Sequence, residues 1–329
     1  MLRYLLRRIV IFLPTLLGIS LVTFVIVQLA PGDPVSLMHG DALTQQTAMT
    51  QQHLQQLRAQ YNLDEPVLKQ FGRWLLRIVQ LDFGNSLIDS QPVTQKIFSR
   101  LPVTLFLNFM SFFLLFLISI PLGTYAALHR GKPFDHISGT FTFMLYSLPI
   151  PWIALLLLIF VGVEWDLLPV AGIVSDHFDM LSFPEKIGDL MAHAVMPVIC
   201  LTYGGIAFVT KLTRTSVLET INKEYIRAAH ARGLGKKRIL FRHSLKNALI
   251  PVITIFGSMF PALISGSVII ERIFSLPGIG QLFFESVLYR DYTTIMGLSF
   301  FSALMTLLGI LFADMMYAAV DPRITYEEA

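Results

Sequence analysis

The amino-acid sequence predicts an all-α integral membrane protein with six transmembrane helices. Hydrophobic residues make up 54% and charged residues 14% of its 329 positions, whereas soluble domains have about 45–50% and about 25%. Mean hydropathy is +0.64. Six stretches without Asp, Glu, Lys or Arg are each long enough, at about 20 residues, to cross a bilayer. This composition excludes a disordered chain, a basic nucleic-acid-binding protein and an ordinary soluble enzyme.

The predicted spans are interrupted by prolines. In a soluble helix each internal proline costs about 3 kcal/mol, but in a membrane the neighbouring helices can satisfy the freed carbonyls, so we expect kinked, packed spans. The first apolar run could be a signal peptide, but it is longer than the usual 7–15-residue core, which favours an uncleaved span. The six spans cover residues 9–30, 101–128, 137–163, 190–210, 247–270 and 292–313, and the last is expected to continue to Val320.

Lysine and arginine predict the orientation. If the N-terminus is cytoplasmic and the spans alternate, sixteen of the 25 basic residues lie inside and nine outside, ten of the sixteen within residues 211–248. This bias follows the positive-inside rule. We therefore expect a multi-pass protein of the bacterial inner (plasma) membrane with both termini in the cytoplasm.

Residues 31–100 are predicted to form a periplasmic or extracellular loop that contains amphipathic helices. Within it, 66–79 has apolar residues at helical spacing and three basic residues, Lys69, Arg73 and Arg77. This pattern is typical of a helix lying on the membrane or on the spans. The alternative, that it grips a partner, is less favoured.

Residues 215–248 are too polar to cross the membrane but strongly patterned. Leu218, Ile221, Tyr225 and Ala229 are predicted to share one helical face, and Gly233 and Gly235 to break the helix before a second short one. The result is a compact basic knob between two spans. Composition alone fits equally well a basic hairpin held by lipid headgroups.

Signs of catalysis are missing from the sequence. It has no G-x-x-x-x-G-K-[ST] nucleotide motif, and its eight histidines show no metal-binding spacing. We expect no catalytic residues, no metal site, no cofactor bound by this chain and no nucleic-acid partner. Polar residues within the spans are candidates for a pathway, but hydrogen bonds between helices are the favoured interpretation; they are Asn108, Tyr146, Thr202, Tyr203, Thr254 and Ser258.

Several short motifs occur in an order that resembles the permease subunits of binding-protein-dependent ABC importers. The resemblance is to the first of the two permeases in dipeptide and oligopeptide uptake systems, and it covers the whole chain. Each motif is weak alone, and their order and spacing carry the resemblance. They are APGDP at 30–34, LDFGNS at 81–86, RLPVT at 100–104, YIRAAHARG at 225–233, HSLKNA at 243–248 and FSLPGIG at 274–280.

The resemblance implies one transmembrane permease domain over 1–329 with the type I ABC importer permease fold. It also implies partners: a second, homologous permease, two ATP-binding cassette subunits that use ATP and Mg, a periplasmic or extracellular solute-binding protein, and the lipid bilayer. Peptides are the expected substrate. The alternatives are a permease for nickel or another small solute, and, in a different class, an ATP-independent secondary transporter or channel.

By the same resemblance, residues 211–248 are a cytoplasmic EAA-type coupling segment that docks on the ATPase. The family's usual glutamate is Arg227 here, and Glu224, one turn earlier, is expected to replace it. Small alanines let the helix seat closely, and Gly233 ends it. The expected coupling residues are Glu224, Tyr225, Arg227, Ala228, Ala229, His230, Arg232 and Gly233.

The outer face is expected to meet the solute-binding protein. The candidates are chosen by position only, and substrate-binding residues are not identified from the sequence. The candidates are Asp33, Asp82, Asn85, Arg290 and Asp291.

Overall fold

The computed structural model describes residues 2–29 and 66–320, and within these ranges the chain is helical, without strands. This confirms the all-α prediction. The helices are α1 (Leu2–Leu29), α2 (Val67–Val79), α3 (Val93–Leu128), α4 (Pro133–Ser147), α5 (Ile150–Leu156), α6 (Phe183–Ile221), α7 (Glu224–Ala231), α8 (Lys236–Arg238), α9 (Leu245–Ala248), α10 (Ile250–Ser258), α11 (Val268–Ile273), α12 (Ile279–Leu288) and α13 (Tyr292–Val320). A π-helical stretch, Leu157–Glu164, extends α5, and another, Ile239–Ser244, joins α8 to α9.

Four of the described helices, α1, α3, α6 and α13, are long and apolar enough to cross a membrane. Two further bent pairs raise the number to six if each pair is one span. The described residues therefore support four to six spans, in agreement with the six predicted.

The third predicted span, 137–163, is sharply bent. Its two halves, Pro133–Ser147 and Ile150–Glu164, meet at 93°. The bend lies at Leu148 and Pro149, because proline cannot donate the hydrogen bond that would continue the helix. The Leu148 carbonyl instead accepts a hydrogen bond of 2.9 Å from the Tyr203 hydroxyl of α6.

The fifth predicted span, 247–270, was wrong as a single helix. Helix α10 ends at Ser258, a short 3-10 turn covers Phe260–Leu263, and α11 begins only at Val268. The Asn108 side-chain amide donates to the carbonyls of Leu263 (2.9 Å) and Ser265 (3.0 Å), which lie in this break. Hydrogen bonds from a helix to the carbonyls at a break or bend therefore account for Asn108 and Tyr203.

By their internal contacts the residues form two compact units, each built from separated segments. The first comprises Met1–Pro102 and Gly278–Leu308. In it, Phe71 and Trp74 of α2 pack against Phe24, Val27 and Met296. The amphipathic helix predicted at 66–79 is confirmed as α2.

The second unit comprises Val103–Pro277 and Gly309–Ala329. Its main core brings together Leu107, Met196, Cys200, Ile270 and Phe274. Helix α3 approaches α6 closely at Gly123, where a β-carbon would lie 2.5 Å from the Thr210 carbonyl oxygen.

Candidate functional site

The candidate site is the short helix α7, which lies within the predicted coupling segment. Helix α6 ends at Ile221, Asn222 caps it, and α7 starts afresh at Glu224 after Lys223 in an extended conformation. The prediction that Leu218, Ile221, Tyr225 and Ala229 share one helical face is therefore wrong, since the helix is interrupted between Ile221 and Glu224.

One face of α7 is fixed by burial. Ile226 is 1% and Ala229 8% exposed, and both pack with Ile239 and Leu234 from the chain that follows. Ala229, expected to contact the ATPase, is thus part of this small core. The same core sets which residues α7 turns outward.

The C-terminal end of α7 is a Schellman motif. The Gly233 N–H donates to the His230 carbonyl at 2.9 Å and the Leu234 N–H to the Ala229 carbonyl at 3.3 Å, the two hydrogen bonds that define this cap. Gly233 has a φ of +75°, which glycine adopts without the steric cost of a side chain. The prediction that Gly233 ends the helix is confirmed.

The outward face carries the other predicted coupling residues. Glu224, Tyr225, Arg227, Ala228, His230 and Arg232 are all exposed. The Tyr225 hydroxyl accepts a 2.9 Å hydrogen bond from the Asn247 amide, and the Arg227 guanidinium donates to the Asn222 carbonyl at 3.4 Å. Two side chains of this face are therefore oriented by neighbouring segments.

The surroundings of α7 are basic and include one prominent aromatic side chain. Phe241 is 69% exposed, and Lys237, Arg238, Arg242 and Lys246 are exposed on the same stretch of chain. Exposed large apolar residues bordered by charges are typical of protein contact sites. The arrangement suits a partner with acidic groups around an apolar pocket.

The segment is anchored on the spans of its own unit. Val217 of α6, Ala248 of α9 and Ala127 of α3 form a buried cluster, with Leu218, Ile221 and Leu245 packed against it. A displacement of this segment therefore acts directly on the ends of α3 and α6.

An ion pair that sequence reasoning missed lies near the same ends. The Arg214 guanidinium binds both carboxylate oxygens of Asp135, at 2.5 and 2.7 Å, and Asp135 also accepts a hydrogen bond from the Gly131 N–H. Asp135 is 7% exposed. A bidentate arginine–carboxylate pair fixes geometry well, so it links the turn after α3 to α6. The available signal was an acidic residue directly before the predicted span 137–163.

Among the outer-face residues expected to meet the solute-binding protein, Asp291 is buried in the structure. Asp82 and Asn85 are exposed and Arg290 is half-buried, but Asp291 is 1% exposed. Its carboxylate accepts hydrogen bonds from the Ser86 hydroxyl, the Leu87 N–H and the Thr294 hydroxyl and N–H. The expectation that Asp291 is a surface contact is corrected: it caps α13 and holds the preceding loop. Asp33 lies outside the described residues.

Comparison with known proteins decides the family. Residues 119–326 match the family described as binding-protein-dependent transport system inner membrane component, and residues 1–108 match its N-terminal family. This chain belongs to that permease family. The membership confirms the expected permease fold, and it means that the chain is a transport protein rather than an enzyme. It is a multi-pass protein of the inner membrane that works with ATPase and membrane partners.

Relatives match over nearly their full length. The oligopeptide transport system permease protein AppB of Bacillus subtilis is 39% identical over 98% of this chain and 99% of its own. The dipeptide transport system permease protein DppB of Escherichia coli K12 is 33% identical over 100% of both chains. The inner membrane ABC transporter permease protein YejB of Escherichia coli O157:H7 is 33% identical over 98% of this chain and 99% of its own.

Proposed function

We propose that this protein carries peptides as one half of the transmembrane pathway of an ABC importer. The names of AppB and DppB, which refer to oligopeptide and dipeptide transport, support this substrate. Membership of a binding-protein-dependent family argues against the ATP-independent transporter and the channel, and no relative considered above favours nickel.

The coupling surface of this importer is the outward face of α7. The observation that carries the proposal is that α7 has one buried and one exposed face. Ile226 and Ala229 form the buried face, and the exposed face includes Ala228 and Arg232. A helix held from one side presents the other as a rigid surface, which suits the transfer of motion. Glu224 is exposed in the first turn, where a carboxylate is favoured by the helix dipole, and takes the place of the family's glutamate.

The complete transporter contains a second homologous permease, two ATP-binding cassette subunits that use ATP and Mg, and a solute-binding protein outside. When ATP draws the two cassette subunits together, the docked helices move and the spans open an outward cavity. The energy enters because ATP and the loaded binding protein favour one of the two states over the other. This chain supplies α7 and its anchoring on α3 and α6.

A single bulky substitution tests the coupling surface. Ala228→Trp places a large side chain on the exposed face of α7 without entering the core of Ile226 and Ala229. We expect this variant to insert normally into the membrane but to co-purify with at least about tenfold less ATPase, and to lose peptide uptake. The matched control is Ala171→Trp at another exposed alanine, which should retain full ATPase co-purification. Equal co-purification by both variants would falsify the docking proposal.

The proposed orientation can be tested by cysteine labelling. Cys200 is the single cysteine and is 0% exposed, so an added cysteine gives the signal. A membrane-impermeant maleimide should label Asp176→Cys in intact spheroplasts and His230→Cys only after permeabilisation. The reverse pattern would place α7 outside and end the coupling proposal.

A further inference from the structure

Helix α2 has three distinct faces. The first, with Phe71, Trp74 and Ile78, faces the interior of the first unit, to which α2 belongs. The second is apolar yet exposed: Leu68 is 82%, Leu76 68% and Val79 82% exposed. The third is basic, with Lys69, Arg73 and Arg77 all exposed and spaced four residues apart on one side of the helix.

A cavity of about 150 Å³ opens beside the basic face. Arg73 and Arg77 line it together with the amides of Gln28, Gln70 and Asn85. Two guanidinium groups beside several amide donors suit an anion.

A second observation indicates that this cavity binds a ligand. The indole Nε1 of Trp74, another lining residue, is buried and has no hydrogen-bond acceptor among the residues that the structure describes. A buried donor without a partner costs about 1–3 kcal/mol. By contrast, the Gln28 amide donates to Gln70 at 2.9 Å, so the wall of the cavity is already ordered.

The cavity lies where apolar spans end. Gln28 is the penultimate residue of α1, and Tyr292, which also lines the cavity, is the first residue of α13. Both helices are apolar enough to cross the bilayer, and tyrosine at the end of a span is typical of the headgroup level. The exposed apolar strip of α2 is then in contact with acyl chains and its basic face with headgroups.

We propose that this cavity binds the phosphate of an anionic phospholipid, with its acyl chains in the bilayer that Leu68, Leu76 and Val79 face. Arg73 and Arg77 bind the phosphate oxygens, and the two charges favour an anionic lipid over a zwitterionic one. The proposal assigns a lipid site to the outer segment, is independent of the transported substrate, and does not depend on the coupling role of α7.

Lipid retention by the purified transporter complex tests this site. Native mass spectrometry with added phosphatidylglycerol, and separately phosphatidylcholine, compares wild type with the double variant Arg73→Gln/Arg77→Gln. Wild type should retain one additional phosphatidylglycerol that the double variant binds at least about tenfold more weakly, since charged hydrogen bonds are lost. The control Lys69→Gln removes an exposed charge from the same helix but not from the cavity, and should bind like wild type.

Four results would overturn the proposal. One is equal phosphatidylglycerol retention by wild type and a double variant that remains monodisperse and assembled. Another is equal binding of phosphatidylcholine and phosphatidylglycerol by wild type. The third is displacement of the lipid by inorganic phosphate or by a dipeptide at millimolar concentration, which would assign the cavity to a soluble anion instead. Failure of Arg77→Lys to bind better than Arg77→Gln would also contradict a charge-based site.

Discussion

The buried Asp291 carboxylate accepts a hydrogen bond from the Ser86 hydroxyl, which lies 205 residues earlier in the chain. Thr294 donates to the same carboxylate from its hydroxyl at 2.6 Å and from its N–H at 3.3 Å. One side chain thus caps the last long helix and fixes the loop that precedes α3.

Replacement of Asp291 should destabilise the first unit. Asp291→Ala removes the cap and leaves the Ser86 hydroxyl and the Leu87 N–H buried without an acceptor, so we expect a loss of about 2–4 kcal/mol in the free energy of unfolding. Denaturant unfolding of the detergent-solubilised protein measures it. The control Asp82→Asn, on an exposed residue, should change stability by less than about 0.5 kcal/mol. Similar losses for the two variants would contradict the role of Asp291.

Asp89 should make stability depend on acidic pH. Burial raises the pKa of its carboxyl, but hydrogen bonds with Lys96, Ser86 and the Gln91 N–H together lower it by more, so that the pKa lies below the usual 3.8. A lowered pKa in the folded state adds stability that is fully present above the unfolded pKa and is lost as the pH falls through the folded one. The contribution is below about 1 kcal/mol because Asp89 is partly exposed.

The test compares melting temperatures between pH 6 and pH 3. Asp89→Asn should be less stable than wild type at pH 6, and the difference should shrink below about pH 4. Asp176→Asn, on an exposed loop, serves as the control and should follow wild type throughout. A constant difference between Asp89→Asn and wild type over the whole range would refute the prediction.

Two helical glycines in the spans should respond to alanine in opposite ways. At Gly123 an added β-carbon meets the Thr210 carbonyl at 2.5 Å, whereas at Gly139 nothing lies within 4 Å. Gly123→Ala should cost about 1–3 kcal/mol by forcing α3 from α6. Gly139→Ala should gain up to about 1 kcal/mol from helix propensity. Thermal unfolding of both variants measures the effect, and a stabilised Gly123→Ala protein would show that the two helices are not so closely packed.

The two glycines after α7 provide another matched pair. Gly233 has a φ of +75° and Gly235 does not have a positive φ, while both have open space around them. Gly233→Ala should therefore cost about 1 kcal/mol and Gly235→Ala much less. Hydrogen exchange of residues 224–234 reports the loss, with faster exchange expected in Gly233→Ala alone. Identical exchange in the two variants would mean that the Schellman cap does not govern this helix.

The sequence was sufficient for the spans because the absence of charge over about 20 residues follows directly from the bilayer thickness. It was not sufficient for where helices end. Helix α6 runs from Phe183 to Ile221, well beyond the predicted 190–210, since backbone hydrogen bonding continues after the apolar run. The break after Ser258 was missed because an uncharged sequence reads the same in a continuous and an interrupted span.

The end of α7 was predictable from the sequence, because glycine commonly follows a helix C-terminus and Gly233 occupies that position. The division of α7 into buried Ile226 and Ala229 and exposed Ala228 depends on Ile239, which only the folded chain brings near. Asp291 was wrongly expected at the surface for the same reason, because Ser86 and Leu87, which bury its carboxylate, are distant in the sequence. An acid before an apolar run also has the pattern of a helix N-cap, and that interpretation was the correct one.

The hydrogen bond from Tyr203 to the Leu148 carbonyl restricts how the 93° bend of the third span can behave. Straightening the bend would leave the Leu148 carbonyl without its hydrogen bond in the hydrocarbon region, where no water can replace the lost donor. The bend is therefore a rigid element of the fold and not a hinge. Any rearrangement during a transport cycle must carry α4, α5 and the adjoining part of α6 as one block, and must find its pivots elsewhere in the chain.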